Sequence, residues 1–284
     1  MNKFKIFFEL SKSRMVPMVL ITTSYGFFLS GQGLTWNLLV FTLLGMTFLT
    51  AGSATLNNYL ERETDSQMDR TKSRVLPSGK LKPSVALAYG ILCTLLGVFL
   101  VAINVNILAG FLCLLASFLY VLVYTPMKRW SWMNTYVGAI PGALPPMIGW
   151  VAATGELSVG AWVLFGILYT WQIPHFFALA IMYRDDYAQG GHKMLPVVDG
   201  NDKRTLRHIL LYAVLLLLVS ILPYSIGMSG SIYFIGCVAI GMMLLGYSLM
   251  LFFKQTHENA RRLFKASLVY LPVLLGLFIM DLGL

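Results

Sequence analysis

Long apolar runs and short polar stretches alternate along the whole chain, with runs at roughly 15–31, 36–56, 84–103, 106–124, 132–152, 159–182, 207–227, 231–252 and 267–283. Each is close to the twenty or so residues that an α-helix needs to cross a hydrocarbon core. The pattern predicts an all-α, polytopic membrane protein with nine transmembrane helices. Composition agrees, since only 12% of the 284 residues are charged and 57% are hydrophobic, and a soluble domain carries about twice that charge fraction. The mean hydropathy is +0.73.

Charge then orients the bundle. All 21 Lys and Arg residues fall at the N-terminus or in the even-numbered connections between runs, and the odd-numbered connections hold none. Basic residues collect on the cytoplasmic side of short loops, which places the N-terminus in the cytoplasm and the C-terminus outside. The formal charge of +9 is therefore topological, and no nucleic-acid partner is read into it. Lys3 and Lys5 ahead of the first run imitate a secretory leader, but no small-residue cleavage site is evident and further runs follow, so that run is expected to be retained. Cys93, Cys113 and Cys237 stand singly inside runs and read as buried small apolar side chains.

Two polar stretches, 57–83 and 183–206, are longer than the others, and function is expected there. The first reads NNYLERETDSQMDRTKSR from Asn57 to Arg74. On a helix, positions four apart differ by only about 40° in direction, so Asn57, Glu61, Asp65 and Asp69 form one slowly turning ladder of oxygen donors. Arg62, Arg70, Lys72 and Arg74 stand among them. Hard oxygen ligands suit Mg²⁺ and cations suit phosphate oxygens, and the two together describe a site for a diphosphate whose hydrocarbon tail lies in lipid. A lone acid at the end of a membrane helix is ordinarily an interfacial collar residue. The ladder exceeds what a collar needs.

The second stretch reads YRDDYAQGGHKMLPVVDGNDKR from Tyr183, again with acids at the end of a long run. Asp185 and Asp186 point about 100° apart on a helix, and spacing alone leaves open which of them meets a metal. The two acidic mouths, half a bundle apart in sequence, hint at a repeated four-helix unit, although too few residues match to establish it. The fifth run carries Pro141, Pro145 and Pro146 with Gly138 and Gly142 in a small-xxx-small arrangement. Such a segment either lines a chamber, where freed carbonyls find partners, or is a kinked packing helix. His175, deep in the sixth run, is either a hydrogen-bonded structural histidine or a ligand or proton-transfer group. His192 is a candidate phosphate contact, whereas His208 and His257 read as ordinary interfacial residues. Trp130, Trp132, Tyr136, Tyr169, Trp171, Phe176, Phe177, Tyr183 and Tyr187 surround the same region; most suit a core or belt, and a few suit the stabilisation of an allylic cation by their π faces.

These blocks resemble the intramembrane aromatic prenyltransferases of the UbiA superfamily. The first signature of that superfamily corresponds to Asn57, Asn58, Glu61 and Asp65, a following RTxxR to Arg70, Thr71 and Arg74, and the second acidic motif to the stretch from Tyr183 to Tyr187. Within it, NNYLERETDSQMDRT, YTPMKR from Tyr124, GAIPGALPPMIGW from Gly138, WQIPHFFALAI from Trp171 and YRDDYAQGGHKMLP, in that order, resemble the branch that farnesylates haem. Asn58 and Glu61 stand where the general pattern has Asp, and Tyr183 and Tyr187 stand where quinone-type relatives often have acids, which leaves the number of Mg²⁺ ions open.

The resemblance implies a UbiA-like bundle forming one domain over 1–284 in the cell membrane, with its active site facing the cytoplasm. It implies Mg²⁺ as cofactor, held by Asn57, Glu61 and Asp65 and by Asp185 or Asp186, which together form the catalytic set. Farnesyl diphosphate and haem B are the implied substrates and haem O the product, passed to a downstream haem-modifying enzyme or an oxidase-assembly factor. Arg70, Arg74, Lys128 and Lys193 are the expected phosphate contacts; Asn58 and Arg184 join the substrate-binding set, and His175 is placed near haem iron or at a proton-transfer point. Two other readings stand beside this one. A prenyltransferase for a quinone precursor would share the metal site, while a secondary transporter would also use broken helices and repeats but would keep its acids near the bilayer midplane.

Overall fold

The computed structural model describes residues 3–12 and 15–282, and all its regular elements are helical. In order these are α1 (Lys3–Leu10), α2 (Val16–Leu29), α3 (Trp36–Gln67), α4 (Pro83–Asn104), α5 (Ile107–Phe118), a π-helical turn (Leu119–Tyr124), α6 (Thr125–Trp130), α7 (Asn134–Thr154), α8 (Val159–Met182), α9 (Arg184–Gln189), α10 (Leu195–Val198), α11 (Lys203–Ser225), α12 (Ser231–Phe253) and α13 (His257–Leu282). Among the described residues eight segments are long and apolar enough to cross a membrane, the run from Ile107 to Trp130 counting as one. α2 is apolar but has only 14 residues, about 21 Å of helix. Arg14, one of the basic residues assigned to the cytoplasmic side, lies outside the described residues.

Two boundaries differ from the hydrophobic pattern in a way that matters. α3 runs for 32 residues, about 48 Å, well beyond a hydrocarbon core of about 30 Å. The apolar run ends near residue 56, yet the helix continues to Gln67 and carries the polar ladder with it. α13 likewise begins at His257, ten positions ahead of its apolar run, because polar residues continue a helix once it has left the lipid.

α3 packs along α4, α2 along α7, and α8 is flanked by α7, α11 and α13. The contact between α2 and α7 is backbone to backbone. A Cβ on Gly26 would lie 1.8 Å from the Pro146 carbonyl oxygen, and one on Gly149 would lie 1.8 Å from that of Thr23. Without side chains at these two points the helices close up as small residues allow.

The π-helical turn has a local cause. Pro126 has no N–H to donate and its ring crowds the preceding turn, and the helix ahead of it widens so that the Thr125 N–H reaches the Tyr120 carbonyl. Tyr120 and Tyr124 thereby stack, with centroids 5.7 Å apart. Turns of this kind recur at functional sites.

α1 folds back over the polar end of α3. Leu10 is buried with Val75, Leu76 and Ala86, and the Ser11 hydroxyl lies 3.2 Å from that of Tyr89. This anchoring carries Lys12, whose φ of +45° lies in the left-handed region, across the mouth of the bundle.

Candidate active site

Between α2, α3, the π-helical turn, α7 and α8 lies a largely apolar cavity of about 270 Å³. Met46, Leu49 and Phe176 line its depth, and Tyr124, Lys128 and Tyr187 line its polar end. The proline-rich helix α7 contributes Gly138, Pro141, Gly142 and Pro145. Of the two readings of that segment, the structure gives the chamber wall. Its glycines make room for neighbours, since a Cβ on Gly142 would sit 2.0 Å from the Gln172 side-chain oxygen. Gln172 in turn donates to the Ala139 carbonyl at 3.1 Å.

Behind Lys128 at the polar end, Asn57, Glu61 and Asp65 of α3 are all buried, Asn57 completely and Asp65 to within 1%, and they do not themselves line the cavity; Lys12, Asn58 and Arg74 line a second hollow that shares Met15 with it. Each meets a basic side chain. Lys12 Nζ donates to Asn57 Oδ1 at 2.5 Å, and the Asn57 amide donates to Thr125 Oγ1 at 2.9 Å. Lys128 Nζ donates to Glu61 Oε1 at 2.7 Å. One nitrogen of Arg74 serves both carboxylate oxygens of Asp65, at 2.9 and 2.7 Å. Buried carboxylates persist as anions only when so paired. Asn58 is buried beside them and donates to the Leu10 carbonyl at 2.8 Å, while its Oδ1 has no partner among the described residues.

Burial, reinforced by the nearby Arg74 guanidinium, lowers Lys12 to about 7. His192 is lowered to about 4, first by burial and then by the charge of Lys128. It is therefore neutral near pH 7, and its Nδ1 is buried without a partner among the described residues.

The second polar stretch divides. Tyr183 ends α8 with φ −117° and ψ 33°, and α9 sets off in a new direction. That break carries Arg70 and the second stretch together: the Arg70 guanidinium lies over Tyr183 at 5.1 Å and over Tyr187 at 5.5 Å from the ring centroids. A Cβ on Gly190 would meet Met68 Sδ at 2.8 Å. The segment just beyond α3 is thus packed against α9 and its flanks.

The acids that were expected to close the metal site take other positions. Asp185 is exposed and lines a separate hollow with Arg184, Asp202 and Thr256. Arg184 pairs with Asp202, not with the cavity. Asp186 is half-buried, and its carbonyl accepts from the Gly190 N–H at 3.0 Å. Neither aspartate lines the apolar cavity, and neither do Asn57, Glu61 or Asp65. Asp69 leaves the ladder because α3 stops at Gln67, and it pairs in solvent with Lys72. The Lys193 side chain is exposed, but its N–H donates to the Lys128 carbonyl at 2.7 Å.

His175 faces α13, away from the cavity. Its ring stacks between Trp171 and Phe264, each at 4.8 Å, and its Nδ1 lies 2.8 Å from Ser267 Oγ. Because the Ser267 hydroxyl donates to the Phe264 carbonyl, His175 Nδ1 carries the proton toward Ser267. His208, read as an ordinary interfacial residue, instead packs among Trp132, Tyr136 and Phe177.

Among the described residues no three His, Cys, Asp or Glu side chains gather closely enough to form a metal cage. Mg²⁺ rarely uses such cages; it keeps several waters and is held by one or two carboxylates with substrate phosphates. The amide oxygen of Asn57 and the carboxylates of Glu61 and Asp65 fit that arrangement. Two residues at this mouth escaped the sequence reading of the site, Lys12 and Thr125. Lys12 stood out only as a basic flank of the first run.

Residues 19–271 match the UbiA prenyltransferase family. The chain is 40% identical to a protein named protoheme IX farnesyltransferase from Solibacter usitatus, over 97% of this chain and 98% of that one. A solved structure concerned with digeranylgeranylglyceryl phosphate synthase in membranes shares the fold, with a TM-score of 0.85 at 20% identity and 99% of each chain covered. So does a UbiA homolog from Archaeoglobus fulgidus bound to GPP and Mg²⁺, with a TM-score of 0.64 at 17% identity over 96% of this chain and 99% of that one. A family match over most of its length, joined to a helical bundle with paired acids and cations at the mouth of an apolar cavity, means that the chain belongs to the UbiA prenyltransferase family.

Proposed function

We propose that the protein transfers the farnesyl group of farnesyl diphosphate to a vinyl group of haem B, adds water, and releases haem O and diphosphate. The acceptor rests on the names of its relatives, and the chemistry on one observation. Asn57, Glu61 and Asp65, each engaged by a basic side chain, form a buried cluster that reaches the polar end of an apolar cavity through Lys128, the partner of Glu61. An isoprenoid tail belongs in that cavity and its diphosphate at that mouth.

Bound Mg²⁺, held by Asn57, Glu61 and Asp65, would neutralise charge on the diphosphate as the C1–O bond weakens. The chain's own part is an exchange of partners. Lys128 and Arg74 satisfy the carboxylates before substrate arrives; were those oxygens to hold Mg²⁺, both basic groups would be free for the phosphate oxygens, as would Lys12. No bare charge is left buried at either stage.

The C1–O electron pair leaves with the diphosphate, and the vinyl group attacks C1 to form the new C–C bond. The cation left beside the porphyrin ring is captured by water, which loses a proton to solvent and leaves the hydroxyethylfarnesyl group. Tyr120 and Tyr124 present stacked rings to the cavity, where their π faces favour developing positive charge. The apolar walls keep water from the allylic carbon until the C–C bond has formed.

We take the chain as a single transmembrane domain in the cell membrane, its mouth facing the cytoplasm, with α2 as a ninth, short span. Incubation of the purified protein with haem B, farnesyl diphosphate and Mg²⁺, followed by mass analysis, should give the porphyrin mass of haem O. Farnesylation of a quinone precursor instead, with haem B untouched, would overturn the choice of acceptor. Asp65→Ala should insert in the membrane and form no product; retained synthesis would remove the ladder from the mechanism.

A further inference from the structure

The apolar cavity has a definite depth. On α3 its wall runs from Ala54 down to Met46, about 12 Å of helix at about 1.5 Å per residue. At about 1.2 Å per bond, an extended geranyl main chain spans about 8 Å, a farnesyl chain about 13 Å and a geranylgeranyl chain about 18 Å. The depth fits the second of these. With C1 beside the polar end at Tyr124 and Lys128, a farnesyl tail ends against the floor, and a further isoprene unit runs into it.

That floor is made in two ways. On the α7 side the wall ends at Pro145. Directly beyond it the Pro146 carbonyl meets Gly26 and Gly149 meets the Thr23 carbonyl, backbone against backbone, so nothing yields there without parting two helices. On the α3 side the floor is a side chain. Met46 is 2% exposed, and its Sδ lies 3.7 Å from Cys113 Sγ, so it reaches across to α5 beneath Ala116 of the wall. Its backbone is held in place, since a Cβ on the neighbouring Gly45 would lie 2.4 Å from Val101 Cγ2 and 2.9 Å from the Gly97 carbonyl oxygen of α4. One turn farther on, Thr42, Ala109 and Leu112 are buried. Met46 is thus the part of the floor that a substitution can remove.

We propose that Met46 sets the length of the isoprenoid donor, closing the cavity behind a farnesyl tail so that geranylgeranyl diphosphate is rejected. This rests on the reading of the cavity as the tail site but not on the identity of the acceptor. A longer tail must displace the thioether into a packed core or double back on itself. A misfit of a single methylene in an apolar pocket already discriminates by about tenfold or more, and an isoprene unit is larger.

The experiment uses the purified full chain in detergent with Mg²⁺ and the unreactive thiolodiphosphate analogues of geranyl, farnesyl and geranylgeranyl diphosphate, so that no acceptor is needed. Titration of each analogue against the melting temperature gives its affinity. The native chain should bind the farnesyl analogue about tenfold or more tightly than the geranylgeranyl one. Met46→Ala should bind the geranylgeranyl analogue at least as tightly as the farnesyl one. Emptying a buried methionine site is itself destabilising, so a second variant works in the opposite sense. Ala116→Leu raises the floor from the α5 wall and should bind the geranyl analogue more tightly than the farnesyl one. Each comparison is made between ligands on one variant, so the variant's own stability cancels. Native ranking retained in either variant would mean that Met46 is not the stop. Equal or reversed binding of the two longer analogues by the native chain would overturn the proposal alone, because the tail would then leave the cavity sideways. Failure of all three to bind the native chain would overturn the tail reading with it.

Discussion

At the level of single residues, the buried pair Glu61–Lys128 separates stability from catalysis. Removing one partner leaves the other charge buried and unmatched, at a cost of roughly 3–5 kcal/mol, whereas replacing both by apolar side chains is often neutral or stabilising. Glu61→Leu and Lys128→Leu should therefore each lower the melting temperature of the detergent-solubilised protein. The double variant should recover most of that loss and still make no product. A double variant that melts as low as the singles would show that the pair's hydrogen bonds matter more than its charge balance. Lys12 behaves differently, because its partner Asn57 is neutral. Lys12→Ala should lower kcat/KM for farnesyl diphosphate about 10- to 100-fold through one lost charge-assisted contact, with little change in melting; unaltered kinetics would confine Lys12 to packing. The period-four spacing made Asn57, Glu61 and Asp65 legible in the sequence. It overreached at Asp69, because Met68 adopts an extended φ of −100° and ψ of 131° and ends the helix. Lys12 was not legible as part of the site, since its place depends on α1 folding back onto residues more than sixty positions away.

Helices read from hydropathy alone come out too short wherever a polar end continues the hydrogen-bonding ladder. This happens in α3 and α13, although in α3 the period-four ladder already carried the helix past the end of the apolar run. The boundary after α8 agrees with the apolar run, which ends at residue 182. The sequence left open which of Asp185 and Asp186 meets a metal, and the break at Tyr183, where α8 ends, is followed by a short α9 with Asp185 in a separate hollow. Hydropathy is blind to such a break, which is a matter of one backbone angle. The π-helical turn was equally hidden, although Pro126 gives it a cause. Pro126→Ala restores an N–H to that position and favours an ordinary α-helix. Closing the turn by one residue would rotate Tyr120 and Tyr124 by about 100° relative to Lys128. Turnover should fall by about tenfold or more, the cost of roughly 1.4 kcal/mol in the barrier, while the melting temperature holds or rises. Unchanged turnover would make the widened turn incidental.

For the molecule as a whole, the distribution of basic residues makes a claim that the bundle geometry by itself does not test. Every Lys and Arg falls in a connection of one parity, and with α2 counted as a span this sets Ser78 on the cytoplasmic side and Glu156 on the opposite one. Both positions are exposed. The native cysteines Cys93, Cys113 and Cys237 are all free and buried, so they should remain silent toward a membrane-impermeant thiol reagent. Ser78→Cys should consequently resist labelling in intact cells and react once the membrane is opened, whereas Glu156→Cys should react in both. If α2 only dips into the bilayer, the N-terminus changes sides relative to Ser78 while the helices from α3 onward keep their order; a cysteine at Lys5, also exposed, would then label oppositely to Ser78→Cys. Matching behaviour at Lys5 and Ser78 requires an even number of crossings between them, and α2 with α3 supplies that number only if the short helix spans. The polar end of α3 lies on the same side as Ser78, so the same experiment fixes the side from which the proposed donor would enter.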